Sequence, residues 1–383
     1  MKKIIKIILL LASTFSVSTT EIIASEKIKI GLLVPLTGKN SEIGQSILRS
    51  TRLAVNKIDN PFIEIIPKNT KSNPADTLRA AKELEELGIK IIIGPVFNKN
   101  QAYLDELKEI TFISLTNKSE NKAKNIINAG INATSQLNAI KKFIQLSEIK
   151  KTILLIPDVE YKVEIEKAIN KSKIKSIGKY VYKTDPTKLT KQIEEVTNYK
   201  QRKQNLADEI VRLKKLNQNN NEKLIEKLKK RDTLGGVKFD SIIIADFDES
   251  LKSVTTSLLY TDISPKEKYF ITLNQWFDKS LLKEASSQPL YFPSINKKNY
   301  EDFSSEYFNK FSEYPNQLSF LSFDLVGLIY YLILKNDSIV DEKIFKKKNL
   351  FRGKVGIFEI KNNKINHILN FYKIENGEFK KIF

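Results

Sequence analysis

A two-lobed α/β fold is predicted for this chain by three observations. Strand-like and helix-like stretches alternate from residue 28 onwards, which implies parallel sheets covered on both faces. The 383 residues exceed what one domain of roughly 100–200 residues uses. The alternation also starts afresh near residue 135, as a second lobe would. With 41% hydrophobic and 28% charged residues the chain has the composition of a packed protein, so disorder throughout is excluded.

The first residues, MKKIIKIILLLASTFSVSTTEIIASEK, place Lys2, Lys3 and Lys6 before an apolar run from Ile7 to Ala12 and then small polar residues. These are the n-region, h-region and cleavage zone of an export signal. A membrane span needs roughly 20 apolar residues, and this run is much shorter. Residues 1–24 are therefore expected to be a signal peptide cleaved near Ala24, with an uncleaved anchor as the alternative. The chain has no cysteine, hence no disulfide and no thiol for a lipoprotein's anchor. A soluble, periplasmic mature protein is expected.

In the first lobe, residues 25–134, Ile28–Val34 reads as a strand that breaks at Pro35 and Gly38 and resumes as a helix over Glu42–Ile58. Phe62–Ile66 is a strand, Ala75–Leu87 a helix, IKIIIGPV (89–96) a strand, Gln101–Lys108 a short helix and ITFISLT (110–116) a strand. The second lobe, residues 135–316, opens with a helix at Ser135–Leu146. KTILLIP (151–157), a helix from Val159, IKSIGKYVY (174–182), FDSIIIADF (239–247) and KYFITLN (268–274) follow. The apolar helix QLSFLSFDLVGLIYYLIL (317–334) and the strands GKVGIFEI and HILNFYKI then form a segment, 317–383, that crosses back between lobes.

One stretch departs from this rhythm. Lys188–Arg231 is highly charged and free of Pro and Gly, with Ile193, Val196, Leu206, Ile210, Leu213, Leu224 and Leu228 at spacings that suit a coiled-coil seam. The Asn-rich centre is a good tip, so two antiparallel helices closing at Asn217–Asn221 are predicted, with Gly235 and Gly236 ending the second arm. Such an excursion either packs on its own lobe or projects as an arm for a partner.

Net charge is +19, from 64 Lys plus Arg against 45 Asp plus Glu. Export argues against a nucleic-acid partner, and the excess is spread through Lys-rich helices. Contact with a membrane is expected to be peripheral at most. Catalysis finds little support. His367 is the only histidine, and it lies in a strand-like run, which disfavours a triad or a His base. Without cysteine, a zinc site would need carboxylates alone. Neither a Walker loop nor a dinucleotide fingerprint is present. No cofactor, no metal and no enzymatic activity are therefore expected.

Binding finds more support, because ligands of open α/β sheets sit beyond the carboxyl ends of the strands. Four such ends carry suitable residues. Thr37, Asn98, Ser114 and Thr116 could donate to a carboxylate or carbonyl, and Asp246 or Asp248 could receive an ammonium. Phe97, Asn117, Tyr161 and Trp276 complete the candidate cleft. Each residue alone is equally a turn, cap or packing residue. Their joint occurrence at successive strand ends raises the cleft hypothesis. Acid/base work by Asp246 and Asp248 is the weakest of the readings.

KIKIGLLVPLTGKNSEIGQSILRSTRLAVNKI, followed by IKIIIGPV and ITFISLTN, resembles the type I periplasmic binding proteins of the leucine/isoleucine/valine-binding kind. That resemblance implies two Rossmann-like lobes joined by a multi-strand hinge. GPVF, SLTN with Asn117, LLIPDVEY, the charged insert before FDSIIIADF, SFDLVGLIYYL and the closing FRGKVGIFEIKNNKINHILNFYKIENG are similar to the penicillin-binding protein activator branch. Amino-acid binders of this kind usually carry small hydroxyl residues where this chain has GPVFNKNQA, which argues against amino-acid binding. The activator branch is commonly lipid-anchored through a cysteine that is lacking here. The preferred expectation is a regulator of peptidoglycan synthesis with an envelope synthase as partner. The alternative is the solute-binding subunit of an ABC transporter, with a small polar, amino-acid-like ligand and a permease.

Overall fold

A computed structural model describes residues 27–118, 123–216, 221–336, 342–354 and 356–383. The expected signal peptide lies outside the described residues. In the first lobe, β1 (Ile28–Val34) leads through a turn into α1 (Ser41–Ile58). Next come β2 (Ile63–Asn69), α2 (Pro74–Glu86), β3 (Ile91–Ile93), β4 (Thr111–Ser114) and β5 (Ile126–Asn128). All five strands are parallel in the order β2-β1-β3-β4-β5, with Gly31 beside both Ile66 and Ile92. Apolar side chains on both faces of β1 explain why the strand is buried on both sides. Ile30, Leu32 and Val34 enter the main core, whereas Leu33 enters a second one with Ala81, Leu84 and Phe112.

The turn after β1 needs glycine at one particular place. A Cβ on Gly44, in the first turn of α1, would lie 1.8 Å from the Pro35 carbonyl oxygen. Helix α2 starts where Asn73 accepts from the Asp76 amide and Pro74 occupies the first turn, an N-terminus readable from the sequence.

The second lobe begins with α3 (Ala133–Leu146), capped by Asn132. β6 (Thr152–Pro157), α4 (Lys162–Ser172), β7 (Gly178–Tyr182) and α5 (Pro186–Val196) follow. Then come α6 (Tyr199–Lys215), α7 (Asn221–Lys229), β8 (Ser241–Ile244), α8 (Asp248–Tyr260), β9 (Tyr269–Thr272) and β10 (Leu290–Ser294). The expected hairpin is thus divided. α5 belongs to the lobe, with Leu189 and Ile193 fully buried in the main core, and only α6 and α7 form the antiparallel pair. The break falls at Asn198, whose φ of 51° is left-handed and cannot continue a helix. Part of the expected tip, residues 217–220, lies outside the described residues.

After β10 the chain returns to the first lobe through α9 (Lys297–Phe311) and α10 (Gln317–Lys335). That return precedes the expected position at residue 317. Phe303 and Tyr307 bury one face of α9, the Tyr307 hydroxyl reaches Ser46 on α1, and Lys57 on α1 pairs with Glu306 at 2.7 Å. Helix α10 is long and apolar enough to cross a membrane by length and composition. Here it is a core helix against α1, fixed by the 2.7 Å bond between the Ser46 and Ser319 hydroxyls. β11 (Asn349–Arg352), β12 (Ile357–Lys361) and β13 (Lys364–Ile368) make a small antiparallel sheet. β14 (Asn370–Glu375) and β15 (Glu378–Lys381) then complete the second lobe's sheet, in the order β15-β14-β10-β9-β8-β6-β7. The chain therefore passes between lobes three times: between β5 and α3, between β10 and α9, and between β13 and β14.

Candidate functional site

These crossings leave a cleft of about 1460 Å³ between the lobes. Loops after β3 and β4 supply Phe97, Asn98, Thr116 and Asn117 from the first lobe. Asp248 and Trp276 face them from the loops after β8 and β9 of the second. Six of the ten expected residues thus lie along one cavity.

The other four do not. The Thr37 hydroxyl is taken by the Asn69 amide at 2.8 Å on an exposed turn outside the cleft. The Ser114 side chain is fully buried and donates to the Pro95 carbonyl at 2.8 Å, holding the two strand-end loops together. Asp246 is 3% exposed. Its carboxylate accepts from the Tyr161 hydroxyl at 3.0 Å, the Ser250 hydroxyl at 2.5 Å, the Phe247 amide at 2.9 Å and the Tyr182 hydroxyl. Tyr161 is thereby spent on Asp246 and is absent from the lining. Burial first, and the Asp246 charge second, push both phenols well above their usual pKa. The two aspartates are separated in role, since Asp246 is an internal anchor and Asp248 is exposed at the cavity.

Sequence reasoning missed the amides. Gln136, on α3, accepts from the Asn274 amide nitrogen at 2.9 Å and donates to the Ile131 carbonyl at 3.2 Å. Asn274 in turn accepts from the Trp276 amide nitrogen at 3.0 Å and the Ser294 hydroxyl at 2.8 Å. Gln275 donates to the Asp246 and Leu273 carbonyls and to Thr272. This network holds a strained strap, for Trp276 and Phe277 have φ values of 49° and 59°. Two successive aromatic residues in the left-handed region cost about 1–3 kcal/mol each. Phe277 offsets part of that by packing its ring against Tyr372 at 5.0 Å and Phe379 at 5.5 Å, while Trp276 remains at the cavity. Asn-Gln before Trp-Phe was the available signal, but a loop of amides has no periodicity to mark it.

Charge on the lining is the reverse of the chain's. Asp248, Asp278, Glu301 and Glu378 stand against Lys279 and Lys297, and Lys297 is paired with Glu301 at 2.6 Å. Among the described residues no group of three His, Asp or Glu is placed to hold a metal ion.

Residues 27–206 match the family described as periplasmic binding protein. Among solved structures, the branched-chain amino acid substrate binding protein LivJ from Streptococcus pneumoniae, in complex with isoleucine, is similar at 17% identity and a TM-score of 0.55. That match covers 93% of this chain and 99% of the other. A putative branched-chain amino acid ABC transporter from Rhodospirillum rubrum is similar at 12% identity and a TM-score of 0.71, covering 93% and 100%. The C-domain of LpoA from Haemophilus influenzae, described as a regulator of PBP1A, is similar at 13% identity and a TM-score of 0.61, covering 93% and 100%. A comparison with curated proteins gives no significant match.

Proposed function

We propose that this chain, which shares the two-lobe fold of the type I periplasmic binding proteins, is a non-enzymatic envelope regulator. Its partner would be a peptidoglycan synthase rather than a free amino acid. The carrying observation is that the cleft keeps only two of the four expected donors to an α-carboxylate, Asn98 and Thr116. The Ser114 hydroxyl is spent on Pro95, Thr37 lies outside the cavity, and the stretch after Gly94 contributes Phe97 and Asn98 without a hydroxyl. Four carboxylates against two lysines further disfavour an anionic group there. The likeness to the LpoA C-domain supports the same reading at the level of fold.

The lobes would work by population shift. Whatever touches both sides of the cleft, or bridges both lobes from outside, favours closure by its differential affinity for the closed state. A second reading, the solute-binding subunit of a transporter, is favoured by the size of the cavity and by Trp276 displayed on its wall.

Thermal unfolding separates the two. A ligand of the native state at a hundredfold excess over its Kd stabilises by about 2.7 kcal/mol. The expected result is no shift of the midpoint with any common amino acid, together with direct binding to, and stimulation of, a peptidoglycan synthase from the same cell. A clear shift with leucine, isoleucine or valine overturns the regulator reading in favour of uptake.

A further inference from the structure

Strand β7 ends the second lobe's sheet. Among the described residues it pairs only with β6, so its outer row of backbone N–H and C=O groups faces no strand. Lys179, Tyr180 and Val181 are exposed in succession, a run that no other described strand shows. Successive side chains of a strand point to opposite faces, so both faces of this edge are open. Ile177, just before the strand, is 55% exposed, Tyr180 39% and Val181 40%. Lysine is a common guard of a sheet edge, but three exposed apolar side chains guard nothing.

The surroundings of this edge are basic. Residues 167–183 hold six lysines and no Asp or Glu. Lys179 points to the side of α4, where its ammonium meets Glu166 at 3.0 Å. A groove of about 600 Å³ runs there, and its lining includes Glu166, Lys175 and Lys179. Lys175 is exposed and pairs with no acid among the described residues. By alternation Tyr180 stands on the opposite face, with its ring lying back over Gly178, where a Cβ would meet it at 2.8 Å. A glycine within a strand marks a place where another backbone can approach closely. The edge therefore offers free backbone groups, a basic groove on one side and an aromatic ring on the other.

We propose that β7 takes an extended, acidic segment of a partner protein as an added strand, with alternate carboxylates over the α4 groove and alternate apolar side chains against Tyr180. In such strand addition the main chain supplies affinity and the alternate side chains supply selectivity. Charge decides between occupants. A second copy of this chain would set lysines against lysines across the new ladder, whereas opposite charges on neighbouring strands attract. This docking depends neither on what the cleft holds nor on the partner being a synthase.

The test uses the purified protein and a capped, dye-labelled peptide that alternates glutamate with valine. Fluorescence anisotropy is expected to show saturable binding, with hydrogen exchange slowed over residues 177–183. The same peptide with lysine for glutamate, and the glutamate peptide N-methylated at every residue, are expected to bind about tenfold more weakly or less, the second because it has no N–H to give to the ladder. Lys175→Glu with Lys179→Glu is expected to weaken the glutamate peptide about tenfold and to favour the lysine peptide. No binding of the glutamate peptide, equal binding of its N-methylated form, or protection elsewhere than 177–183 overturns the proposal. Protection of that segment by rising protein concentration alone also overturns it and assigns the edge to a second copy. Both substituted lysines are exposed, and far-UV circular dichroism checks the fold. Should the variant unfold, the peptide comparisons on the parent protein still decide.

Discussion

Asp246 shows what a residue type at a strand end does and does not disclose. Its position beyond β8 marked a need for a carboxylate, yet four donors converge on it from inside the lobe, and none is left for a ligand. What a side chain faces depends on elements distant in sequence, here α4 and β7, so Asp246 and Asp248 were indistinguishable until the fold placed them. The same holds for Ser114, whose partner lies across a neighbouring strand. Tyr182 gives this cluster a measurable signature. A charge-assisted hydrogen bond of this kind contributes about 1.5–3 kcal/mol. Tyr182→Phe is therefore expected to lower the urea unfolding free energy by about 2 kcal/mol at neutral pH. The phenol's folded pKa is raised by burial and by Asp246, so its contribution is complete below the unfolded value near 10 and is lost as pH rises towards the folded value. The parent protein should accordingly lose stability above about pH 10, and Tyr182→Phe should lose less over the same interval. Equal alkaline slopes in parent and variant would show that the cluster does not hold the phenol neutral.

At the scale of elements, apolar spacing was the most legible property. The seam of Leu206, Leu213 and Leu228 was readable, because a helix pair with its own core must repeat its apolar residues at three and four. The division between α5 and α6 was not readable. A single left-handed residue, Asn198, makes that break, and the charged residues on either side continue without a change of composition. Helix α9 was missed for a related reason, since its buried face is built of Phe303 and Tyr307 among polar residues and lacks the continuous apolar run that announces α10. The separate core of α6 and α7 implies separate stability. The Leu234 amide donates to the Arg202 carbonyl at 2.9 Å, so the two arms meet at the base. Excising residues 204–232 and joining the ends with a short Gly/Ser linker is expected to leave the lobes folded, with a cooperative thermal transition close to the parent's. Arg202→Ala is expected to cost more than the excision removes. It leaves the Thr197 and Thr261 carbonyls and the Thr233 hydroxyl short of a buried donor, at about 1–3 kcal/mol for each unsatisfied group. Arg202→Lys should not restore the loss, because an ammonium cannot span three divergent acceptors. Chemical denaturation of the three variants orders them, and full recovery by lysine would refute the role given to the guanidinium.

For the whole molecule, two largely parallel sheets were foreseeable from alternation alone, whereas the antiparallel edge that β14 and β15 add to the second sheet and the joint between the lobes were not. A hinge is made of short crossings that carry no pattern, and the sequence showed only that the late helix and strands had to return somewhere. The structure places His367 at that joint. It sits on β13, just before the third crossing, and its Nε2 lies 2.7 Å from the carbonyl of Ala129, just after β5 on the first crossing. Its backbone amide also donates to Ser135 at the start of α3, at 3.0 Å. The ring is buried against Phe358, which lowers its pKa to about 4, while the bond to Ala129 opposes that shift. Neutral imidazole therefore staples two of the three crossings. An unfolded histidine takes up a proton near pH 6.5, and the folded one does so only near 4. Stability is complete above about pH 6.5 and is lost as pH falls through that interval, by an amount on the order of 3 kcal/mol. Asp158, held near 2 by Lys162 and Lys183, keeps its charge throughout the same interval, so its ion pairs do not obscure the effect. His367→Gln keeps a donor for the Ala129 carbonyl but has no proton to gain. Urea unfolding of parent and variant between pH 7 and pH 5 should therefore show a fall in the parent and a nearly flat line in the variant. Parallel falls would mean that the acid sensitivity of this fold resides in its carboxylates rather than in the staple between its lobes.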